Sequence, residues 1–304
     1  MIDKNTIHLY LAPAGYGKTA YVLERIRQAH TLNPLAQTLV ILPNQAQVKA
    51  FRHRLSQGQG SLGVSLGTFY NLYPEILNWA GKPEPCLPEA VQIRLLQTIV
   101  TRLTEDGQLP YYAPLCDKPG FVVVLRTLLE ELKRANIRRE AFRQAVEQIS
   151  RQEQKPGFYK KTRFLQPDTR LTELAYMYHA YQEWLLDYNW ADTEGQGWLA
   201  ALALERDPDL SRNLPLLIVD GFDEFNPTQL AVLKLLAERA DETIITLTGT
   251  VQDMSRPPLR RFTRALEAVR EALEKAGGRK AEAAEMLGLS RTTFWRKMKK
   301  YGVG

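Results

Sequence analysis

Residues 6–30 read TIHLYLAPAGYGKTAYVLERIRQAH, and the architecture of the chain can be built from them. The first seven alternate apolar and polar side chains, a Pro/Gly turn follows, and from Lys18 onward Val22, Ile26 and Ala29 recur at helical spacing. A strand, a Gly-rich turn and a helix in direct succession predict the first unit of a parallel α/β sheet. The turn itself, APAGYGKT at 12–19, stands where a phosphate-binding loop belongs, after a strand and before a helix. There, consecutive backbone N–H groups can curl around phosphate oxygens while the helix N-terminus adds partial positive charge. The candidate cofactor-binding residues are Ala14, Gly15, Tyr16, Gly17, Lys18 and Thr19. Gly15 and Gly17 permit the tight backbone, Lys18 reaches the phosphates, and the Thr19 hydroxyl can ligate Mg²⁺, so ATP and Mg²⁺ are the expected cofactors. The plainer alternative is a Gly-rich turn carrying a surface lysine.

Further along, TLVILPNQAQVKAFRHRL (38–55) is a β-branched run broken at Pro43 and followed by a helical pattern, a second βα unit. LGVSLGTFYNLYPEIL (62–77) predicts a third strand and the start of a helix. From about Glu89 to Arg206 the pattern changes to long helices: 89–103, 121–136, 139–152 and 171–188. The chain returns to strand, helix, strand with LPLLIVDGF (214–222), PTQLAVLKLLAERA (227–240) and ETIITLTGT (242–250). One sheet interrupted by a helical insertion is the economical architecture. In LLIVDGFDEFNP (216–227) the apolar run stops at Asp220, and Asp223 and Glu224 follow; either Asp220 holds the Mg²⁺ of a nucleotide hydrolase, or the three acids only decorate the end of a buried strand.

With 304 residues, 44% hydrophobic and 24% charged, the chain has the length for roughly two domains and a sizeable core. No apolar stretch reaches the ~18 residues of a membrane span, and the polar start MIDKNTIH does not fit a signal peptide, so a cytoplasmic protein is expected. Cys86 and Cys116 lie far apart with no CxxC or His partner, which indicates neither a disulfide framework nor a zinc site. Residues 256–304 hold 13 Lys and Arg against 5 Asp and Glu, a net +8 in a chain of net +6. The basic excess therefore belongs to the tail, as expected of a module that meets a polyanion.

The order of these segments resembles the superfamily 1 helicases of the UvrD and RecB kind. Ala12 at the first glycine of the usual G-x-x-x-x-G-K-S/T pattern, LVILPNQAQ at the place of motif Ia and GTFYNL at motif Ib are similar to that family. The resemblance implies single-strand DNA contacts around Thr68 and Phe69. LIVDGFDEFNPTQ (217–229) is similar to motif II, which carries Asp220 onto the magnesium-ligating Asp and Phe222, Asn226, Pro227 and Gln229 onto matching positions. The family's water-activating glutamate falls on Gly221. Glycine cannot accept a proton, and a base must come within about 3 Å of its water, so Asp223 or Glu224 would have to substitute. The VDGF version resembles the AddB component of the AddAB-type helicase/deoxyribonucleases, over about residues 5–255. A second RecA-like domain and a nuclease domain with iron–sulfur cysteines do not occur in the 304 residues, so this chain alone is expected neither to translocate nor to cut DNA.

Residues 265–303 read as three helices, with Gly277-Gly278 and Gly288 as stops and Ser290 as N-cap of a basic helix. This part resembles a Fis-type helix-turn-helix, in which Ser290, Arg291, Thr293, Arg296 and Lys299 would lie near duplex DNA. A basic helical tail with a solvated face is the plainer alternative.

The fold class expected is thus an α/β P-loop NTPase with a RecA-like parallel sheet (1–84 and 207–255), an α-helical insertion resembling subdomain 1B (85–206), and a small all-α helix-turn-helix domain (256–304). Function is expected to be DNA and nucleotide binding with weak hydrolysis, as a homodimer through the helix around Leu266 to Lys275 or beside a helicase–nuclease partner subunit. The alternatives are a DNA-stimulated ATPase of double-strand break repair and an ATP-sensing transcription regulator. The abrupt joint near 256–266 fits a natural fusion, a truncated gene with a new end, or an engineered joint.

Overall fold

The computed structural model describes residues 6–57, 62–153, 169–211 and 213–249. The proposed helix-turn-helix, its DNA-contacting residues and the proposed dimer helix lie outside them. In chain order the elements begin β1 (Thr6–Ala12), α1 (Lys18–Leu32), β2 (Thr38–Ile41), α2 (Gln45–Ser56), β3 (Val64–Gly67) and α3 (Phe69–Trp79). The helical part follows as α4 (Glu89–Glu105), a short 3₁₀ turn (Ala113–Leu115), α5 (Pro119–Arg134), α6 (Arg139–Glu153), α7 (Thr169–Asp187) and α8 (Thr193–Arg206). β4 (Leu214–Phe222), α9 (Pro227–Ala237) and β5 (Ala240–Thr248) complete the described chain. Two compact units result, one of residues 1–82 and 199 onward, the other of 83–198.

The first unit is a five-stranded sheet in the order β1-β5-β4-β2-β3, with every pairing parallel. This α/β architecture is consistent with a RecA-like fold. Right-handed crossovers that run in opposite directions across a sheet must lie on opposite faces. The chain moves one way through α1 and α2 and returns through α3 and α9, and two separate cores follow. On one face Val22 and Ile26 of α1 and Val48 and Phe51 of α2 meet Val40, Leu216, Ile218 and Ile244. On the other, Phe69 and Ile76 of α3 and Val232 and Leu236 of α9 meet Ile41, Leu217, Val219, Ile245 and Leu247. The period of two along β4 thus sends Leu216 and Ile218 to one core and Leu217 and Val219 to the other. Four successive residues at 1% exposure or less is why that stretch reads as an unbroken apolar run.

Helix ends are set by local chemistry. Asn44 caps α2 by accepting from the Gln47 N–H at 3.0 Å. Asn226 and Gln229 form a reciprocal capping box at α9, at 2.8 and 3.0 Å, with Pro227 at its first turn. Arg239 closes the other ends: its guanidinium donates to the carbonyls of Leu204 and Leu235, near the C-termini of α8 and α9. α9 therefore stops at Ala237 and β5 starts at Ala240, sooner than the apolar pattern of 227–240 predicts.

In the second unit α4, α5 and α7 enclose Leu96, Val100, Leu125, Leu129, Met177 and Tyr181. An ion pair lies inside this helical unit. Lys133, fully buried, meets Asp192 at 2.6 Å, Tyr181 donates to the same carboxylate at 3.0 Å, and the Gly195 N–H donates to its other oxygen at 2.7 Å. The ammonium also sits over the Tyr181 and Trp198 rings, 5.1 and 5.6 Å from their centroids. Burial first, and the Asp192 charge second, push the Tyr181 phenol far above its ordinary pKa, so it stays a donor. A buried charge this well satisfied ties α5 and α7 to the start of α8. No helix among the described residues is long and apolar enough to cross a membrane.

Candidate functional site

Because all strands are parallel, the turns after β1, β2, β3 and β4 share one edge of the sheet, the carboxyl edge where α/β folds carry their sites. The turn after β1 is built on two glycines in the left-handed region, Gly15 at φ 84° and Gly17 at φ 81°. Nothing lies within 4 Å of where a Cβ would stand on either, so conformation alone requires glycine there. Gly17 is the N-cap of α1 and supplies no side-chain cap, in contrast to Asn44 and Asn226, and the first N–H groups of α1 remain open to an external acceptor. Ala14, Gly15, Tyr16 and Gly17 are exposed, Tyr16 at 76%. α1 is held against the sheet by a two-pronged contact of Arg25 with Glu242 of β5, at 2.5 and 3.1 Å.

Lys18 folds back over the turn and donates to the carbonyls of Ala12 at 2.7 Å and Pro13 at 2.8 Å. Partial burial lowers its pKa from the usual lysine value, with Asp220 pulling the other way. Thr19 donates its hydroxyl to Oδ2 of Asp220 at 2.9 Å, joining positions 201 residues apart in the chain. Asp220 is 3% exposed. A hydroxyl and a carboxylate are both hard oxygen donors of the kind Mg²⁺ takes, so this pair fits the expected ion.

The strand runs past Asp220, over the whole of LPLLIVDGF as its sequence predicts. β4 continues to Phe222 through a register shift, where Val219 pairs with Ile245 and Phe222 with Leu247. Gly221 takes φ 82° there. A Cβ on it would stand 2.8 Å from Oε1 of Gln47, at the start of α2. Asp223 is half-buried and Glu224 exposed, both beyond the end of β4. The residues brought together are therefore Lys18, Thr19 and Asp220, with Gln47 and Thr246 as neighbours that sequence reasoning missed. Thr246 donates to Oδ1 of Asp220, and nothing in its local sequence distinguishes it from any strand threonine.

Thr68 and Phe69 belong to the frame of this edge. Thr68 is the N-cap of α3, with its N–H and hydroxyl both donating to Oδ1 of Asn71 at 3.0 Å. Phe69 is 1% exposed and packs edge-on against Phe222, 5.6 Å between centroids, while Phe222 stacks on Phe225 at 4.8 Å. Gln45 donates to Asn71 at 2.7 Å, tying the start of α2 to that of α3.

Fold and site together define a parallel α/β sheet protein whose carboxyl edge carries a glycine turn, a lysine and a threonine–aspartate pair. The chain belongs to the family described as ADDB, N-terminal, whose model matches residues 9–298. It is similar to proteins named as a subunit of an ATP-dependent helicase/deoxyribonuclease. That of Moorella thermoacetica is 27% identical over 245 residues, covering 79% of this chain and 20% of the relative. That of Bacillus licheniformis is 25% identical over 241 residues, covering 78% and 20%. That of Ruminiclostridium cellulolyticum is 24% identical over 237 residues, covering 77% and 19%. The chain spans about a fifth of the length of these curated relatives.

Proposed function

We propose that the chain is a nucleotide- and DNA-binding module of a recombinational-repair helicase, which holds a Mg²⁺-bound nucleoside triphosphate and hydrolyses it poorly. The observation that carries this reading is the Thr19–Asp220 bond beside the open N-terminus of α1 and the Lys18 ammonium. In this reading the amides of residues 14–19 cradle the phosphates. Lys18 exchanges its two carbonyl partners for phosphate oxygens, and Thr19 and Asp220 face the metal. Bound Mg²⁺ supplies charge neutralisation at the phosphates. Poor hydrolysis follows from Gly221, which places no carboxylate where the family's motif II has its glutamate.

The relatives are named both as helicases and as subunits, which supports DNA as the polymer engaged and a helicase–nuclease partner as the setting. Residues 256–304 act as a second, duplex-binding element in this proposal, on the strength of their net +8 and the Fis-type pattern. Calorimetric titration with ATP and Mg²⁺ tests the nucleotide site. Binding by the wild type that disappears in Lys18→Ala is expected, and equal affinity of the two proteins would refute the site.

A further inference from the structure

Asp220 and Gly221 of β4 stand opposite a single residue of β5, Thr246, because Val219 pairs with Ile245 and Phe222 with Leu247. Two residues against one is a β-bulge, which is rare between parallel strands and serves to re-aim a side chain. The hydroxyl of Thr246 closes it from the other strand. It accepts from the Gly221 N–H at 3.3 Å and donates to Oδ1 of Asp220. Thr246 is fully buried and Asp220 nearly so, so each of these groups depends on the other for its hydrogen bond. The second carboxylate oxygen, Oδ2, is the one that meets Thr19, at 2.9 Å.

We infer that Thr246 is a positioning residue: it ties back Oδ1 and fixes the carboxylate plane, so that Asp220 offers one oxygen beside Thr19 and the site favours Mg²⁺ or Mn²⁺ over Ca²⁺. This rests on the nucleotide-site reading above. The chemistry behind it is coordination number. Mg²⁺ keeps most of its waters and takes single carboxylate oxygens in a tight octahedron, whereas Ca²⁺ takes six to eight oxygens and readily uses both oxygens of one carboxylate. A hydrogen-bond donor held on Oδ1 by two strands disfavours the two-oxygen mode. Loss of that donor frees the carboxylate to rotate and leaves the Gly221 N–H without its partner.

The test is a titration of the full chain with a fluorescent ADP analogue in Mg²⁺, in Ca²⁺ and in EDTA, for wild type, Thr246→Val and Thr246→Ser, each with a thermal melt. Thr246→Val keeps the shape and removes the hydroxyl, and is expected to weaken Mg²⁺-dependent binding about tenfold. Its EDTA affinity is expected to stay near wild type and its Ca²⁺ affinity to hold or rise, so the preference for Mg²⁺ shrinks. Thr246→Ser restores the donor and is expected to restore the preference, which a merely structural role for the threonine would not require. Should Thr246→Val not fold, Thr246→Ala gives the same comparison. A folded variant without the hydroxyl that keeps the wild-type Mg²⁺/Ca²⁺ ratio, while wild type binds nucleotide, overturns this inference alone. Absence of binding by wild type in all three media overturns the nucleotide site as well.

Discussion

Placing a side chain on Gly221, as in Gly221→Glu, is expected to yield a less stable protein. Two effects oppose a side chain at this position, and their sizes decide which matters. The backbone sits at φ 82°, where an L-residue costs roughly 1–2 kcal/mol. A Cβ would also stand 2.8 Å from Oε1 of Gln47, but that oxygen is the far end of an exposed, flexible side chain that can swing away cheaply. Backbone strain therefore dominates. Gly221→Ala isolates it and should destabilise by the same ~1–2 kcal/mol, a melting temperature lower by roughly 2–8 °C in a domain of this size. Gln47→Ala in that background should recover little. Differential scanning calorimetry of the single and double variants reads both effects. An unchanged melting temperature for Gly221→Ala would refute the strained bulge.

Lys133→Met removes one half of a buried ion pair and leaves Asp192 in the core, so urea denaturation should show a loss of about 3–5 kcal/mol. Leu217→Ala opens a cavity in the central strand at a fully buried site and should cost about 2–5 kcal/mol by the same measurement. Lys18→Met takes away a partly desolvated ammonium, so the nucleotide-free protein should melt no lower than wild type even as ATP binding is lost. The full chain should bind duplex DNA with an affinity that falls steeply with salt, and Arg291→Ala, Arg296→Ala and Lys299→Ala together should flatten that slope in a fluorescence-anisotropy titration.

The sheet was legible because its strands are short apolar runs closed by turn residues. TIHLYLA and LPLLIVDGF coincide with β1 and β4, and the helices of the insertion carry clear apolar periodicity. α8 escaped notice: TEGQGWLAALALER contains two glycines and small residues whose spacing selects no face. The site was legible as residue types and spacing, since Lys18, Thr19 and Asp220 do meet at one edge of the sheet. Its support was not. A bulge needs only one residue more on one strand than on its neighbour, and the register of two strands joined by a crossover helix leaves no mark on either. Thr246 reads as an ordinary strand former, and Lys133 and Asp192, 59 residues apart, read as surface charges until the fold buries them together.

Whether the proposed nucleotide site binds without efficient turnover is decided by steady-state ATP hydrolysis in the presence and absence of single-stranded DNA. Wild type that binds ATP yet shows no DNA-stimulated turnover above Lys18→Ala is the predicted result. DNA-stimulated hydrolysis by wild type that Lys18→Ala abolishes would contradict it.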